Sequence, residues 1–558
     1  MRYQKIITVF LFILILASQL ILMAYMGSHK NISFIDEIWS FNLANSEIAG
    51  LDPVAVKSHE WLDGSFWRSL LTPSNKTAFK YKKTITNQII DDAHPPLFYI
   101  LLHTICSFFP ETYSPWLVII PNMVLFCFIQ FFIFYFSLEI TQNRYKSLLC
   151  MAMCGCALGV IATTVYVRMY QLHCFWCLLS FFITFKFLRS LSSNSISEIN
   201  TVSSSISYNK QYSLIGLIFL VYLLGSLTHY HFLVFAFFVS FFTLTYLWFS
   251  EYKRLAIIYG SSCLSAVICS FMLFPQALIT LSGRDPVGRG AEALHNIVND
   301  DVVNKLKGYL NIANHDVYLS YLLGTCLAYY LVRLIIYFIK VHRAKRFLNK
   351  ANISADEKNS KIKQDSLFPI NLVIRSKNIP LCILTLTFFL SFIVICQTTP
   401  WFAFRYISFA FYIFFILLSF CFKDTILCIL LAICFVTLSC KELRPNNVSF
   451  LTYKSSPGRY LLTHNAEVIV YQTEERWWPS LYFARNFMKI KRGYIATALD
   501  EIIETTDDEI ICIFSRDYYN NDKVVESSKV EKAMKTLGYT HKQKLSHEPH
   551  GETYLFYK

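Results

Sequence analysis

Charge is what this sequence has least of. Asp, Glu, Lys and Arg make up only 16% of the chain, against 54% hydrophobic residues, where soluble proteins carry about 25% charged residues. That scarcity excludes an ordinary soluble domain. Metal-binding cysteine pairs are lacking too. Most Cys residues, among them Cys150, Cys154, Cys156, Cys174 and Cys177, fall inside apolar runs and read as small buried hydrophobes. No phosphate-binding glycine loop occurs in the polar C-terminal part. No internal repeat imposes an inverted symmetry, which counts against a secondary transporter. No clear A-x-A cleavage site follows the first apolar run, and that run is longer than a signal-peptide core.

What fills the chain instead is a series of apolar runs from residue 6 to about 440, each near the ~20 residues needed to cross a bilayer. Lipid leaves a backbone only helices or closed barrels. The reading is therefore an all-α polytopic membrane protein. Hydropathy places about eleven transmembrane helices, near 6–26, 116–138, 147–166, 170–189, 212–228, 231–250, 255–275, 317–340, 379–397, 403–422 and 425–440. The first is expected to be uncleaved, with its N-terminus in the cytoplasm. The net charge of +14 sits mainly in short loops between spans, the positive-inside pattern, so nucleic acid is not expected as a partner.

Residues 95–109 (PPLFYILLHTICSFF) are apolar but short, which favours an interfacial helix. If this segment does not cross, the basic loops at Arg144/Lys146, 186–210, Lys253/Arg254 and 340–377 all share the side of the N-terminus. Asp36, His94, Arg168, His229, His231 and Arg405 then share the other side. The first outer loop, 27–115, is expected to carry interfacial amphipathic helices near 37–49 and 59–71. A Ser-rich linker occupies 190–207. Residues 1–440 thus form the membrane domain. Residues 441–558 break the pattern and read as a small α/β extracytoplasmic domain, with strands near 467–471, 509–514 and 553–557 and helices near 480–488, 498–505 and 529–537.

Five clusters could carry chemistry. Ser33-Phe-Ile-Asp-Glu-Ile-Trp-Ser40 puts the carboxylates Asp36 and Glu37 beside a membrane face, where they could take a proton from a hydroxyl or hold a cation; solvated juxtamembrane acids are the plain alternative. His94-Pro95-Pro96 opens a short helix whose N-terminus suits a phosphate, or His94 simply caps it. Arg168-Met-Tyr170 lies at an outer turn, where Arg168 would pair with an acid or a phosphate or only snorkel. His229 and His231 flank Tyr230 at another outer turn; a metal site normally needs more ligands, so substrate contact or packing is preferred. Arg405, in the run WFAFRY at 401–406, opens a further helix and suits an anionic headgroup. A phosphate-linked lipid substrate needs this set: cations for the phosphate, a base for the acceptor and aromatic faces for sugar and chain.

Asp36-Glu37 after a first helix, a loop closing on His-Pro-Pro-Leu-Phe-Tyr at 94–99, and Arg168-Met-Tyr170 at the next outer turn together resemble the GT-C glycosyltransferases. The nearest branches are the bacterial relatives of the dolichyl-phosphate-mannose protein mannosyltransferases and of the lipid A aminoarabinose transferase. The likeness covers about residues 1–250 well and the later spans by architecture alone. It implies an inverting enzyme of the plasma (inner) membrane that moves a sugar from a polyprenyl-phosphate donor to a glycan, lipid or protein acceptor on the extracytoplasmic face. Carried onto this chain, Asp36 would be the base or acceptor-binding carboxylate and Glu37 its support. His94 would lie near the donor phosphate, with Arg168 and Tyr170 lining the donor site. No acid neighbours Arg168, so metal-independent catalysis without a cofactor is expected, with a divalent metal as the alternative. The 281–316 segment and the C-terminal domain match no pattern of that family. The rival reading is a non-enzyme: a lipid or glycan transporter, or an assembly subunit for envelope polysaccharide.

Overall fold

The computed structural model describes residues 2–30, 33–47, 58–91, 94–194, 201–284, 289–350, 379–451, 465–472, 478–486, 490–499, 502–515, 527–548 and 551–558. In chain order the helices are α1 (Arg2–Ser28), α2 (Ile35–Asn45), α3 (Gly64–Ser69), α4 (Lys82–Asp91), α5 (Leu97–Ser107), α6 (Trp116–Thr141), α7 (Arg144–Gly155), α8 (Leu158–Val165), α9 (Tyr170–Asn194), α10 (Thr201–Ser226), α11 (Tyr230–Phe249) and α12 (Lys253–Leu273). Then come α13 (Gln276–Leu281), α14 (Arg289–Asn299), α15 (Val302–Val317), α16 (Leu319–Lys350), α17 (Ile379–Thr398), α18 (Ser408–Leu418), α19 (Thr425–Glu442), α20 (Trp478–Ala484) and α21 (Ser527–Thr536).

Among the described residues, 9 helices are long and apolar enough to cross a membrane, and α7 with α8, bent by 60° at their junction, bring the number to 10 as one span. The protein is a membrane-embedded helical bundle. The eleventh expected crossing corresponds to α10. Asn209, Lys210 and Gln211 dilute its first half, but its apolar second half packs along α9 and α12.

The bend between α7 and α8 has a visible cause. Cys156 and Ala157 N–H turn to the carbonyls of Met153 and Cys154, which leaves carbonyls of the preceding turn without helical partners. The buried amide of Gln19, on α1, donates to Met151 O at 2.9 Å and Ala152 O at 3.3 Å. In lipid a freed carbonyl needs such a partner. Gly155 lets the Gln19 side chain approach, since a Cβ there would collide with its amide.

The first loop is folded over one pole of the bundle. Helix α5 has 11 residues, so it is about 16 Å long, roughly half the hydrocarbon thickness. Both its ends meet elements of the same pole: Leu97 N–H donates to Leu227 O, and beyond the other end Glu111 N–H donates to Pro73 O. It therefore lies at that pole. Helix α2 matches the amphipathic segment expected near 37–49. The one expected near 59–71 does not form a single helix: Trp61–Asp63 is a strand, and only the six residues of α3 follow as helix, capped by Asp63. The 276–316 segment contains α13 to α15. Of the 190–207 linker only residues 195–200 lie outside the described residues; the rest is helical, as the end of α9 and the start of α10. Residues 351–378 of the 341–378 loop lie outside the described residues.

The C-terminal part is a six-stranded sheet. Its strands are β1 (Trp61–Asp63), β2 (Glu467–Tyr471), β3 (Arg492–Ala496), β4 (Glu509–Ser515), β5 (His541–Glu548) and β6 (Gly551–Tyr557), in the order β1-β3-β2-β4-β6-β5. The central β3, β2 and β4 are parallel, and the outer pairs are antiparallel. The three strands expected from sequence are β2, β4 and β6. The helix expected at 498–505 does not form where it is described, because 502–505 run without regular structure to β4. Strand β2 is buried throughout, as a central parallel strand should be. Its alternate residues serve two cores: Ile469 and Tyr471 pack with Val530 and Met534 of α21, while Val468 and Val470 join the core shared with the membrane domain. Edge strand β1 comes from the first loop. Gly493 of β3 is required opposite it, because a Cβ would stand 2.8 Å from the Trp67 indole nitrogen.

A candidate site of one carboxylate and two buried guanidinium groups

The start of α2 is held by Glu37. One carboxylate oxygen accepts Phe34 N–H at 2.7 Å. The other accepts Val167 N–H at 2.8 Å and the Lys30 ammonium at 2.8 Å. Lys30 also donates to Phe450 O. Glu37 is fully buried, and its pairing with Lys30 offsets both charges where isolated ions would be costly. The side chain thus joins α1, α2, the 166–168 turn and the segment leading to the sheet. That placement suits a supporting role, since no oxygen of Glu37 is left to face a substrate.

Asp36, one residue earlier, points the other way and keeps 27% of its side chain exposed. Its carboxylate lies 3.2 Å from Arg405 Nη1. Arg405 enters from the short 3-10 turn Phe404–Ile407 ahead of α18. It also donates to the Tyr166 hydroxyl at 3.2 Å, and its plane lies 5.1 Å from the rings of Phe34 and Tyr406. Cation–π stacking of this kind suits a guanidinium shielded from water.

Arg168 is the second cation. The turn that carries it is fixed by three hydrogen bonds from two residues: Asn122 on α6 donates to Thr164 O and Tyr166 O, and Glu37 takes Val167 N–H. Arg168 Nη1 donates to Asp36 O at 3.1 Å, Ser40 Oγ at 3.0 Å and the Tyr99 hydroxyl at 3.3 Å. All three acceptors are formally neutral. Arg168 is 3% exposed and has no ion-pair partner among the described residues. The Nε atoms of Arg168 and Arg405 are buried without hydrogen-bond partners among the described residues.

Beside these cations lies a group of imidazoles. His229 sits 4.6 Å from His231, 5.2 Å from His173, 5.9 Å from His94 and 5.4 Å from Tyr170, between ring centroids. His229 caps α11 by accepting His231 N–H on Nδ1 at 3.1 Å. A neutral ring that accepts there carries its proton on Nε2. Burial, and then the neighbouring His231, His173 and His94 rings, hold His229 well below the usual imidazole range. His94 lies 3.8 Å from Asp91, which accepts the Trp39 indole N–H at 2.7 Å. The N-terminus of α5 is less open than expected, because Leu97 N–H is given to Leu227 O.

The structure thus brings Asp36, Glu37, Arg168, Tyr170, Arg405 and the three histidines to one pole. Lys30, Ser40, Tyr99, Tyr166, His173 and Phe450 were not singled out from sequence as members of this site. His173 had a signal, being one helical turn beyond Tyr170. Lys30 and Phe450 had none, since they meet Glu37 and Tyr166 only through the tertiary fold. Among the described residues no group of three or more His, Cys, Asp or Glu side chains is arranged to hold a metal ion.

Fold and site together define a polytopic helical membrane protein with a buried, cation-rich polar cluster at one pole. No family model matches the chain, and no curated protein matches it in sequence.

Proposed function

We propose that the chain is a membrane glycosyltransferase of GT-C type. It would move a sugar, with inversion, from a polyprenyl-phosphate donor to a hydroxyl of an envelope glycan, lipid or protein. The observation that supports this best is Arg168, a buried guanidinium whose partners among the described residues are all neutral. An unpaired buried cation is expensive, and a site that keeps one is built for an anion. With Arg405, which pairs with the partly exposed carboxylate of Asp36, alongside, two guanidiniums share the site with one carboxylate, which leaves a formal excess of positive charge for a phosphate.

On this reading Asp36 accepts the proton of the acceptor hydroxyl as that oxygen attacks the anomeric carbon. The carbon–oxygen bond to the polyprenyl phosphate breaks, and the departing phosphate takes its charge to Arg168 and Arg405. Glu37 positions the start of α2, and His94, His229, His231 and Tyr170 line the donor side. The pole opposite the site carries Arg144, Lys146, Lys186, Arg189, Lys253 and Arg254. The positive-inside rule then assigns that pole to the cytoplasm of a plasma-membrane protein, and the site and sheet to the outside.

The test is purified protein with a radiolabelled polyprenyl-phosphate sugar, scored for released polyprenyl phosphate. Asp36→Asn should remain in the membrane and lose transfer by roughly 10²–10⁴-fold, the usual worth of a general base. Near-normal transfer by that variant overturns the assignment.

A further inference from the structure

Helix α14 is amphipathic in an unusual sense, with three faces instead of two. Successive residues turn about 100° around a helix. On one face lie Ala291, Leu294, Ile297 and Val298, all exposed, with Leu294 at 50%, Ile297 at 45% and Val298 at 79%. On a second face lie Glu292, His295 and Asn299, also exposed. The third face is turned to the protein and is polar. Asn296 is buried there and donates to Thr399 O at 3.3 Å, while Gln397 donates to the carbonyls of Asn296 and Asp300 at 2.8 Å each.

A helix in water turns its apolar face to the protein. Here the protein takes the polar face, and the apolar face is left outside. The same exposed apolar surface continues over Leu278, Ile279 and Leu281 of α13 to Met272 and Leu273 at the end of the membrane-spanning α12. On the other side it runs on to Val302, Val303, Trp401 and Phe402. It is thus continuous with the lipid-facing surface of the bundle, at the pole that carries Arg405.

We infer that α14 is an interfacial helix docked on membrane lipid, with Leu294, Ile297 and Val298 in the acyl boundary, Glu292, His295 and Asn299 in water, and Asn296 against the protein. Interfacial helices bury an apolar face in this way, and here the third face fastens the helix to the 397–401 turn. The turn is further held by Lys305, which donates to Thr399 O at 2.6 Å, and by the Tyr309 hydroxyl, which donates to Trp401 O at 3.0 Å. The lipid seat of α14 is therefore fastened to the turn that leads into Arg405.

The test places a benzophenone amino acid at position 298, and separately at the adjacent position 299, in the full-length protein. Each is reconstituted in phosphatidylethanolamine–phosphatidylglycerol vesicles, irradiated and analysed by mass spectrometry. Position 298 should give lipid adducts several-fold more often than position 299. Equal lipid yields at the two positions, no lipid adduct at 298, or cross-links at 298 chiefly to a second copy of the chain would each overturn the inference.

Discussion

Arg168 offers the sharpest separation between a structural cation and one kept for a ligand. Replace it by Met, which matches its apolar stem. Three hydrogen bonds are lost, to Asp36 O, Ser40 Oγ and Tyr99, worth about 1.5–3 kcal/mol each for a charged donor if every acceptor were stranded. They are not all stranded. Asp36 O keeps the Ser40 hydroxyl at 3.0 Å, and hydroxyl groups can rotate to other partners. Against a loss of roughly 3 kcal/mol stands the relief of a buried charge that has no counter-ion among the described residues, also several kcal/mol. The net effect on stability should lie near zero.

Binding of an anionic donor should fall far more. One desolvated cation–phosphate contact is worth roughly 3 kcal/mol or more, about 10²-fold in affinity or rate. The assay pairs thermal melting of detergent-solubilised protein with transfer from the lipid-phosphate donor. The expected result is a melting temperature within about 3 °C of the parent and transfer down at least ~100-fold. A large drop in melting temperature with transfer retained per folded molecule would refute the reasoning, since Arg168 would then be a structural pillar.

The buried Glu37 should behave in the opposite way: Glu37→Gln strands Lys30 and should lower stability by about 3–5 kcal/mol, seen as a fall in melting temperature that Lys30→Met in the same chain partly restores. Gly155→Ala should destabilise by driving a methyl into the Gln19 amide, and Gln19→Ala should relieve that clash while itself costing roughly 1 kcal/mol for the lost carbonyl partner, so the two substitutions are non-additive in melting experiments. His229 is held neutral in the fold by burial, whereas an unfolded imidazole titrates near pH 6.5. Its contribution is therefore complete above about pH 6.5 and declines below it, by up to ~1.4 kcal/mol per pH unit. His229→Asn keeps a capping acceptor for α11 and should flatten the decline in melting temperature between about pH 7 and 5.

Much of the membrane body was legible because lipid enforces one rule: an apolar run of the right length becomes a helix. The rule is local, so it finds α6 and α11 without help. It counts 212–228 as an eleventh crossing, whereas α10 is not among the 9 to 10 described helices that qualify, because Asn209, Lys210 and Gln211 thin its apolar character. It also separates the 11-residue α5 from the spans by length alone. The gathering of Asp36, Arg168 and Arg405 at one pole followed from counting crossings and basic loops. Two things escaped because they depend on partners distant in sequence. Strand β1 is three residues long, too short for alternation to register, and it is a strand only because β3 offers an edge. Position alone left the adjacent carboxylates Asp36 and Glu37 alike, and only the resemblance ranked Asp36 as the base and Glu37 as its support. Burial divides them, and burial here depends on Lys30 just beyond α1 and Val167 from the turn after α8.

That division suggests why the sheet borrows a strand from the first loop. Phe450 stands where the chain leaves the membrane domain for the sheet, in a left-handed conformation with φ 56. Few side chains other than Asn, Asp and Gly adopt that region without compensation. Its ring lies 4.6 Å from Phe34 and 5.7 Å from Tyr166, and its carbonyl takes the Lys30 ammonium. Phe34 is the residue whose N–H caps onto Glu37, and Tyr166 is the residue whose hydroxyl accepts from Arg405. The sheet is thus tied to the first loop twice, at its edge through β1 and at its root through Phe450. The root tie ends on two residues that touch Arg405, Phe34 through its ring face and Tyr166 through its hydroxyl. A sheet joined only by its own linker could swing without moving the site. This sheet is held over the pole by two segments far apart in sequence, Trp61–Asp63 at its edge and Phe450 at its root, and Phe450 packs on the two residues, Phe34 and Tyr166, that contact Arg405.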